Sequence, residues 1–158
     1  MRLSFTRRVL CLAGVLAAFA SPAPAQGVPE FQKILETYSA ALDANDVETL
    51  VGLYSLNGVF MGEGAKAVLG QDALRAAYKS IFATLKLGLR YNLQEAEQSG
   101  DLGWARAMST GTVKVLATGA ETQESFNLLA VFRREGGAWK IRSYLYASDK
   151  TAPGEVPK

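Results

Sequence analysis

Apolar residues between positions 31 and 42 recur at the spacing of an α-helix. Phe31, Ile34, Leu35, Tyr38 and Leu42 fall at positions i, i+3, i+4, i+7 and i+11. Residues at these intervals lie on one side of a helix, and polar residues occupy most of the positions between them. The pattern therefore predicts an amphipathic helix with one buried face.

Two more helices are predicted downstream. The second begins at Asn45, because Asn45 stands three residues before Glu48, as in a capping box. The third spans residues 71–85. A short strand over residues 59–61 lies between them and ends at Gly62. The apolar faces of these helices comprise Val47, Leu50, Val51 and Tyr54 in the second and Leu74, Tyr78, Ile81, Phe82 and Leu85 in the third.

From residue 88 onward the pattern changes to the alternation of β-strands. Four long strands are predicted, at residues 89–94, 104–116, 124–134 and 139–146. Strict alternation places Tyr144 and Tyr146 on the same face of the last strand as Lys140 and Arg142. Helices followed by an antiparallel sheet predict an α+β fold. We expect a cone-shaped barrel, in which three N-terminal helices pack on a strongly curved, mainly antiparallel sheet and the open mouth takes a ligand.

The first 25 residues have the composition of a signal peptide. Arginines at positions 2, 7 and 8 precede an apolar run over residues 9–20, and Ala23-Pro24-Ala25 supplies the small residues that a signal peptidase requires. We therefore expect cleavage after Ala25 and a periplasmic or secreted protein, exported by the Sec or the twin-arginine route. An N-terminal membrane anchor is the alternative.

Removal of this segment changes the composition in ways that bear on function. It takes away the only cysteine, Cys11, and three of the 17 basic residues, which leaves fourteen basic against fifteen acidic side chains. The mature domain, residues 26–150 with a flexible tail at 151–158, then has no thiolate and no basic surface for nucleic acid. The chain also has no histidine, which argues against histidine-dependent triads and zinc sites. We expect no metal, no other cofactor and no membrane contact after cleavage.

Several short motifs resemble those of nuclear transport factor 2-like proteins in their order and spacing. They are the stretch from Tyr38 to Asp46, Leu50-Val-Gly-Leu-Tyr54, Asn57-Gly-Val-Phe60, Gly70-Gln-Asp-Ala-Leu-Arg75 and Gly137-Ala-Trp139-Lys140-Ile141. This superfamily includes the SnoaL-like polyketide cyclases and the ketosteroid isomerases. The resemblance spans residues 31–146 and implies the cone-shaped fold, but a fold of this kind does not by itself imply an activity.

The resemblance also assigns positions to the catalytic groups of ketosteroid isomerases. Tyr38 matches the tyrosine that donates a hydrogen bond to the developing oxyanion. Gly62 and Leu128 stand where the isomerases have the aspartate base and the aspartic acid donor, so steroid isomerisation is not expected. SnoaL-type cyclases depend on an acidic group in the cavity, and the candidates for that role are Glu63, Glu121 and Glu124.

Bulky residues indicate which side chains line the mouth of the cone. On the strand over residues 104–116, alternation separates a bulky face from a face of small residues, and we assign the bulky face to the cavity. Arg106 is then either a lone cation for an anionic ligand or the partner of an internal glutamate such as Glu124. The candidate ligand-binding residues are Tyr38, Tyr54, Phe60, Tyr78, Arg106, Met108, Phe126 and Tyr146.

The other face of the same sheet is predicted to be an interface. The small side chains of residues 105–111, together with Leu129 and Val131, would form a flat apolar surface that a partner covers. The resemblance implies that this partner is a second copy of the chain, so we expect a homodimer.

Three functions are compatible with these observations. The preferred hypothesis is an exported small-molecule-binding domain whose cavity takes a hydrophobic ligand bearing one anionic or enolisable oxygen. The alternative is an enzyme of cyclase, isomerase or dehydratase type that uses Tyr38 and a carboxylate. The third is a dimerisation or partner-binding module whose cavity is filled by side chains. A carboxylate inside the cavity would favour the enzyme.

Overall fold

The computed structural model describes residues 28–149, so the expected signal peptide and C-terminal tail lie outside the described residues. Helices precede the long strands, which confirms the predicted α+β fold. No helix in the described range is long and apolar enough to cross a membrane. The elements are α1 (Val28–Ala44), α2 (Val47–Gly52), β1 (Tyr54–Met61), β2 (Val68–Leu69), α3 (Gln71–Thr84), β3 (Leu85–Ser99), β4 (Leu102–Val115), β5 (Glu121–Glu135) and β6 (Ala138–Ser148).

The strands form one curved sheet in the order β2-β1-β6-β5-β4-β3. Neighbouring strands are antiparallel except β1 and β6, which run parallel. The sheet does not close on itself, because β2 and β3 remain as its two edges. α1 packs on β3 and α3 packs on β1. We call the side of the sheet that faces the helices the inner face, and the opposite side the outer face.

The start of α2 differs from the prediction. Asp46, not Asn45, is the N-cap, and its carboxylate accepts a hydrogen bond from the Thr49 backbone N–H at 3.0 Å. Asn45 instead has a positive φ of 54° in the turn before the helix, a conformation that asparagine tolerates better than most residues. Tyr54, expected on the face of this helix, begins β1 because α2 ends at Gly52.

Two β-bulges change the face on which side chains lie. In β3, Leu93 pairs with Ala107 and Glu95 with Arg106, which leaves Gln94 as the extra residue. In β6, Ile141 pairs with Phe132 and Ser143 with Val131, so the extra residue is Arg142. An extra residue shifts the alternation by one position. The prediction that Tyr144 and Tyr146 share a face with Lys140 and Arg142 is therefore wrong.

Aromatic packing fills the narrow end of the cone. The Phe31 ring stacks on Phe132 with centroids 4.2 Å apart and meets the edge of Trp139 at 5.1 Å. A Cβ atom at Gly103 would lie 2.4 Å from Cζ of Phe31, so only glycine permits this close approach. Because Phe31 and Phe132 are fully buried, this end is solid core, and the space for a ligand lies at the other end.

Candidate ligand-binding cavity

A cavity of about 150 Å³ lies at the wide end of the cone, between the helices and the inner face of the sheet. Tyr38 on α1 and Tyr78 on α3 form part of its helical wall and are buried. Val113, Phe126 and Tyr146 on the sheet wall are partly exposed. These three residues lie near the ends of β4 and β6 and the start of β5, so the entrance is at that edge of the sheet. The deeper part of the cavity is shielded from solvent.

All six tyrosines of the chain gather around this cavity. Five of them line it, and Tyr54 lies behind Tyr78. The Tyr78 hydroxyl is hydrogen-bonded to the Tyr38 hydroxyl at 2.5 Å and to the Tyr54 hydroxyl at 2.9 Å. A second pair joins the hydroxyls of Tyr91 and Tyr144 at 3.0 Å. The Tyr38 and Tyr144 rings stack with centroids 5.0 Å apart, which makes the two groups one phenol cluster.

The phenol cluster has more hydrogen-bond donors than it uses internally. Its five bonded hydroxyls have one proton each, and they make three hydrogen bonds with one another. Two O–H protons therefore find no acceptor within the cluster. A donor left unpaired in an apolar cavity is costly, so the site is suited to a molecule that brings acceptor oxygens.

Burial keeps these phenols neutral. Desolvation is the main cause that raises the pKa of Tyr38, Tyr91 and Tyr144 above the ordinary value of 10, and neighbouring tyrosines add to the rise for Tyr38 and Tyr144. Desolvation also raises the pKa of Tyr78 to about 12, although the hydrogen bonds from Tyr38 and Tyr54 act in the opposite direction. At neutral pH every one of these groups can donate a hydrogen bond, and none can serve as a base.

Ser109 is a further polar group in the cavity wall. It lies on the inner face of β4 between Tyr91 of β3 and Phe126 of β5, and its side chain is only 2% exposed. Its hydroxyl makes no hydrogen bond to any residue in the described range 28–149. Among residues 28–149, the sheet wall thus presents two hydroxyls without a hydrogen bond to the cavity, those of Ser109 and of Tyr146 at the entrance.

Five of the eight residues predicted to bind a ligand line this cavity, namely Tyr38, Phe60, Tyr78, Phe126 and Tyr146. Tyr54 touches the site only through its hydrogen bond to Tyr78. The placement of Arg106 and Met108 in the cavity is wrong, because both lie on the outer face. The Arg106 guanidinium instead donates to Gln94 and, at 3.4 Å, to Glu95, and not to Glu124.

The cause of this error is a reversed assignment of the two faces of β4. Ala105, Ala107 and Ser109 are buried on the inner face, where small side chains leave room for the rings of Tyr38 and Tyr91. The expectation that these small residues form an intermolecular surface is therefore wrong as well. Leu129, by contrast, is on the outer face as predicted, and it is 43% exposed.

The carboxylates considered for catalysis do not line the cavity. The Glu63 side chain is exposed and accepts a hydrogen bond from the Ser148 backbone N–H at 2.7 Å. Glu121 is also exposed, and Glu124 lies on β5 two residues before Phe126. A Cβ atom at Gly62 would lie 3.0 Å from the Tyr146 hydroxyl, so this position faces the cavity entrance without providing a functional group. Within residues 28–149, no acidic cluster could hold a metal ion.

Three polar residues of the site, Tyr91, Ser109 and Tyr144, were not predicted from the sequence. Tyr91 belongs to the alternating stripe of Leu89 and Leu93, which marks it as inward-facing once the sheet is known to cover the helices. Tyr144 was hidden by the bulge at Arg142. Ser109 was assigned to the wrong face, and no sequence signal distinguishes it from a surface serine.

Comparison with known proteins confirms the resemblance seen in the sequence. The profile of the SnoaL-like domain matches residues 32–146. A search of curated proteins finds no match. A ketosteroid isomerase-like protein from Erwinia carotovora atroseptica SCRI1043 has a TM-score of 0.75 at 26% identity, over 80% of this chain and 98% of that one. A Mycobacterium tuberculosis protein of unknown function has a TM-score of 0.68 at 19% identity, over 80% and 73% of the two chains. An NTF2-like protein from Novosphingobium aromaticivorans has a TM-score of 0.61 at 22% identity, over 79% and 84%.

Proposed function

Because the chain belongs to the SnoaL-like family, we propose that it is a small-molecule-binding domain whose cavity takes a small, neutral ring compound with an acceptor oxygen. The observation that supports this most strongly is the phenol cluster, which has two unused O–H protons beside an apolar cavity. Hydrogen-bond donors in an apolar setting favour a carbonyl oxygen, since the ligand then satisfies groups that otherwise have no partner.

The size and charge of the cavity narrow the ligand class. Apolar cavities of about 150 Å³ accept benzene in other proteins, so the volume here suits one six-membered ring with small substituents. The residues that line the cavity are aliphatic, aromatic or, in the case of Ser109, a neutral alcohol. With Arg106 on the outer face, an anionic ligand would be buried without a cation. We therefore propose a neutral ligand, in place of the anionic ligand expected from the sequence.

The geometry supports binding more than the alternative of isomerase or cyclase chemistry. The phenols of Tyr38 and Tyr78 could stabilise an enolate oxygen, which is the role implied by the resemblance to ketosteroid isomerases. Moving a proton also requires a base with a suitable pKa. The lining residues include no carboxylate, and burial holds the pKa of Tyr38 well above its usual value. The third hypothesis, a partner-binding module whose cavity is filled by side chains, is also less favoured, because about 150 Å³ of the cavity is empty.

A matched pair of probes tests the proposed binding. Cyclohexanone and methylenecyclohexane differ only in whether an oxygen or a CH₂ group is double-bonded to the ring. We expect calorimetry to show that cyclohexanone binds about three- to tenfold more tightly, the value of about one net hydrogen bond. The double variant Tyr38→Phe/Tyr78→Phe should reduce this preference, because it removes both cavity-lining hydroxyls of the three-phenol group and leaves only the Tyr91–Tyr144 pair of the phenol cluster as a donor to the cavity.

Tyr54→Phe is the control, since Tyr54 belongs to the same hydrogen-bonded group but does not line the cavity. This variant should keep the preference for cyclohexanone. If neither probe binds the wild-type protein, or if the double variant discriminates as well as the wild type, the proposed role of the phenols is wrong.

We also propose that the binding domain is exported. The support is the arginine-rich start, the apolar run and the Ala-Pro-Ala sequence that ends at Ala25. Expression of the full chain in a bacterial host, followed by intact-mass measurement, should give a mature protein that begins at Gln26. A mass that retains residues 1–25 would contradict this proposal, as would recovery in the membrane pellet.

A further inference from the structure

We propose that Ser109 is a second, specificity-determining contact of this cavity, and that the ligand is a six-membered ring with oxygens on opposite sides. One oxygen is the carbonyl held by Tyr38 and Tyr78, the phenols of the helical wall, and the other is a hydroxyl or second carbonyl that bonds to Ser109. This inference rests on the proposed function and deepens it. It names the substrate class as cyclic hydroxyketones and diketones, quinones included.

The position of Ser109 separates it from the phenol donors of the helices. Ser109 lies on the sheet wall, on β4, whereas Tyr38 and Tyr78 come from α1 and α3 on the helical wall. A ring placed between these walls can therefore present one substituent to each. Of the neighbours of Ser109 on the inner face, Ala107 on β4 and Phe126 on β5 have no polar side chain, and Tyr91 on β3 uses its hydroxyl in the hydrogen bond with Tyr144.

Packing alone does not account for a serine at this position. Alanine occupies positions 105 and 107 on the same inner face, where it is buried to the same degree as Ser109. Alanine would fill the same space without a hydroxyl that makes no hydrogen bond among residues 28–149. The Ser109 oxygen is not fully enclosed, unlike that of Ser55, so it is open to the cavity that it lines. A hydroxyl that makes no hydrogen bond within the protein and faces the cavity is explained by a group that enters the cavity and bonds to it.

A second pair of probes isolates this contact. 4-Hydroxycyclohexanone and 4-methylcyclohexanone share the carbonyl and have nearly the same size, but only the first has an oxygen opposite the carbonyl. Calorimetry on the wild-type full chain should show about three- to tenfold tighter binding of the hydroxyketone. Ser109→Ala should bind the two probes equally, while its affinity for the methyl compound stays within about twofold of the wild type.

Ser55→Ala is the matched control, because the Ser55 hydroxyl is also buried and without a partner but does not line the cavity. It should preserve the preference for the hydroxyketone. A structural role for Ser109 is tested separately by thermal unfolding without ligand, in which Ser109→Ala should unfold at the same temperature as the wild type or at a higher one.

Three results would overturn the assignment of Ser109. They are equal binding of the two probes by the wild type, an unchanged preference in Ser109→Ala, and a lower unfolding temperature in that variant. In each of these cases the binding of both ketones would leave the proposed function intact. Failure of both ketones to bind the wild type would instead overturn the proposed function together with this inference.

Discussion

Raising the pH above 10 is expected to unfold the protein in one cooperative step, and to do so before its buried tyrosines ionise in the folded state. Burial raises the pKa of Tyr38, Tyr54, Tyr78, Tyr91 and Tyr144. Below about pH 9 these phenols are protonated in both states and stability does not depend on them. Above pH 10 the unfolded chain loses their protons and the folded one does not, so the free energy of unfolding falls as the pH rises.

The expected loss is large because five groups act together. Each tyrosine lowers the free energy of unfolding by about 1.4 kcal/mol per pH unit between its unfolded and folded pKa, which gives roughly 7 kcal/mol per unit for five. The total stability of a domain is about 5–15 kcal/mol. Unfolding should therefore be complete within about two pH units above 10, no later than the pH at which Tyr78, with a folded pKa of about 12, is half ionised in the native protein.

Two signals recorded on one sample check this prediction. Tyrosinate ultraviolet absorbance and far-ultraviolet circular dichroism should change together, at a midpoint above the ordinary tyrosine pKa. Tyr144→Phe removes one fully buried phenol and should move the midpoint to higher pH than Tyr146→Phe, which removes the partly exposed phenol at the entrance. Tyrosinate absorbance that reaches its full value near pH 10 with unchanged circular dichroism would show that the phenols are not buried.

Leu129→Arg is expected to convert a dimer into a monomer. We propose that two copies of the chain associate through the outer face, where Leu129 and Leu145 are each 43% exposed and lie opposite one another on β5 and β6. Trp104 and Val131 are paired beside them on β4 and β5. Together these side chains form the kind of contiguous apolar surface that a partner normally covers.

The expected size of the effect follows from the burial of a charge. Arginine in place of Leu129 would introduce an unpaired cation at the centre of the interface, next to Arg106 on the adjacent strand. An uncompensated buried charge costs about 3–5 kcal/mol, which corresponds to a dissociation constant more than a hundredfold higher.

Analytical ultracentrifugation at micromolar concentration measures directly whether each protein is a dimer or a monomer. Leu116→Arg is a suitable control, since Leu116 is comparably exposed at 48% but lies beyond the end of β4, away from Leu129. This control should remain dimeric while Leu129→Arg becomes monomeric. Wild-type protein that sediments as a monomer at micromolar concentration would show that the outer face is not a homodimer interface.

The features predicted correctly from the sequence are those set by local spacing. The period of 3.6 residues identifies the buried faces of α1 and α3, and so places Tyr38 and Tyr78 on the same side as the sheet. The alternation in β4 was also recognised. What alternation cannot decide is which of the two faces meets the helices, and the bulky residue Arg106 was therefore assigned to the interior.

The remaining errors arise from interactions between distant strands. The bulges at Gln94 and Arg142 depend on how β3 pairs with β4 and how β6 pairs with β5. No local signal marks them, since neither position is a glycine or a proline. As a result, the inward orientation of Tyr144 and its hydrogen bond to Tyr91, 53 residues earlier in the chain, emerge only when the sheet is assembled.

The most direct test of the tyrosine-lined cavity is nuclear magnetic resonance of protein labelled with ¹³C in its tyrosine rings. The six tyrosines should give six assignable ring signals, identified by single Tyr→Phe variants. On saturation with cyclohexanone, we predict large shifts for the five tyrosines that line the cavity and the smallest shift for Tyr54, which lies behind them. Shifts confined to Tyr146 at the entrance, or no shifts at any concentration of ketone, would contradict the account.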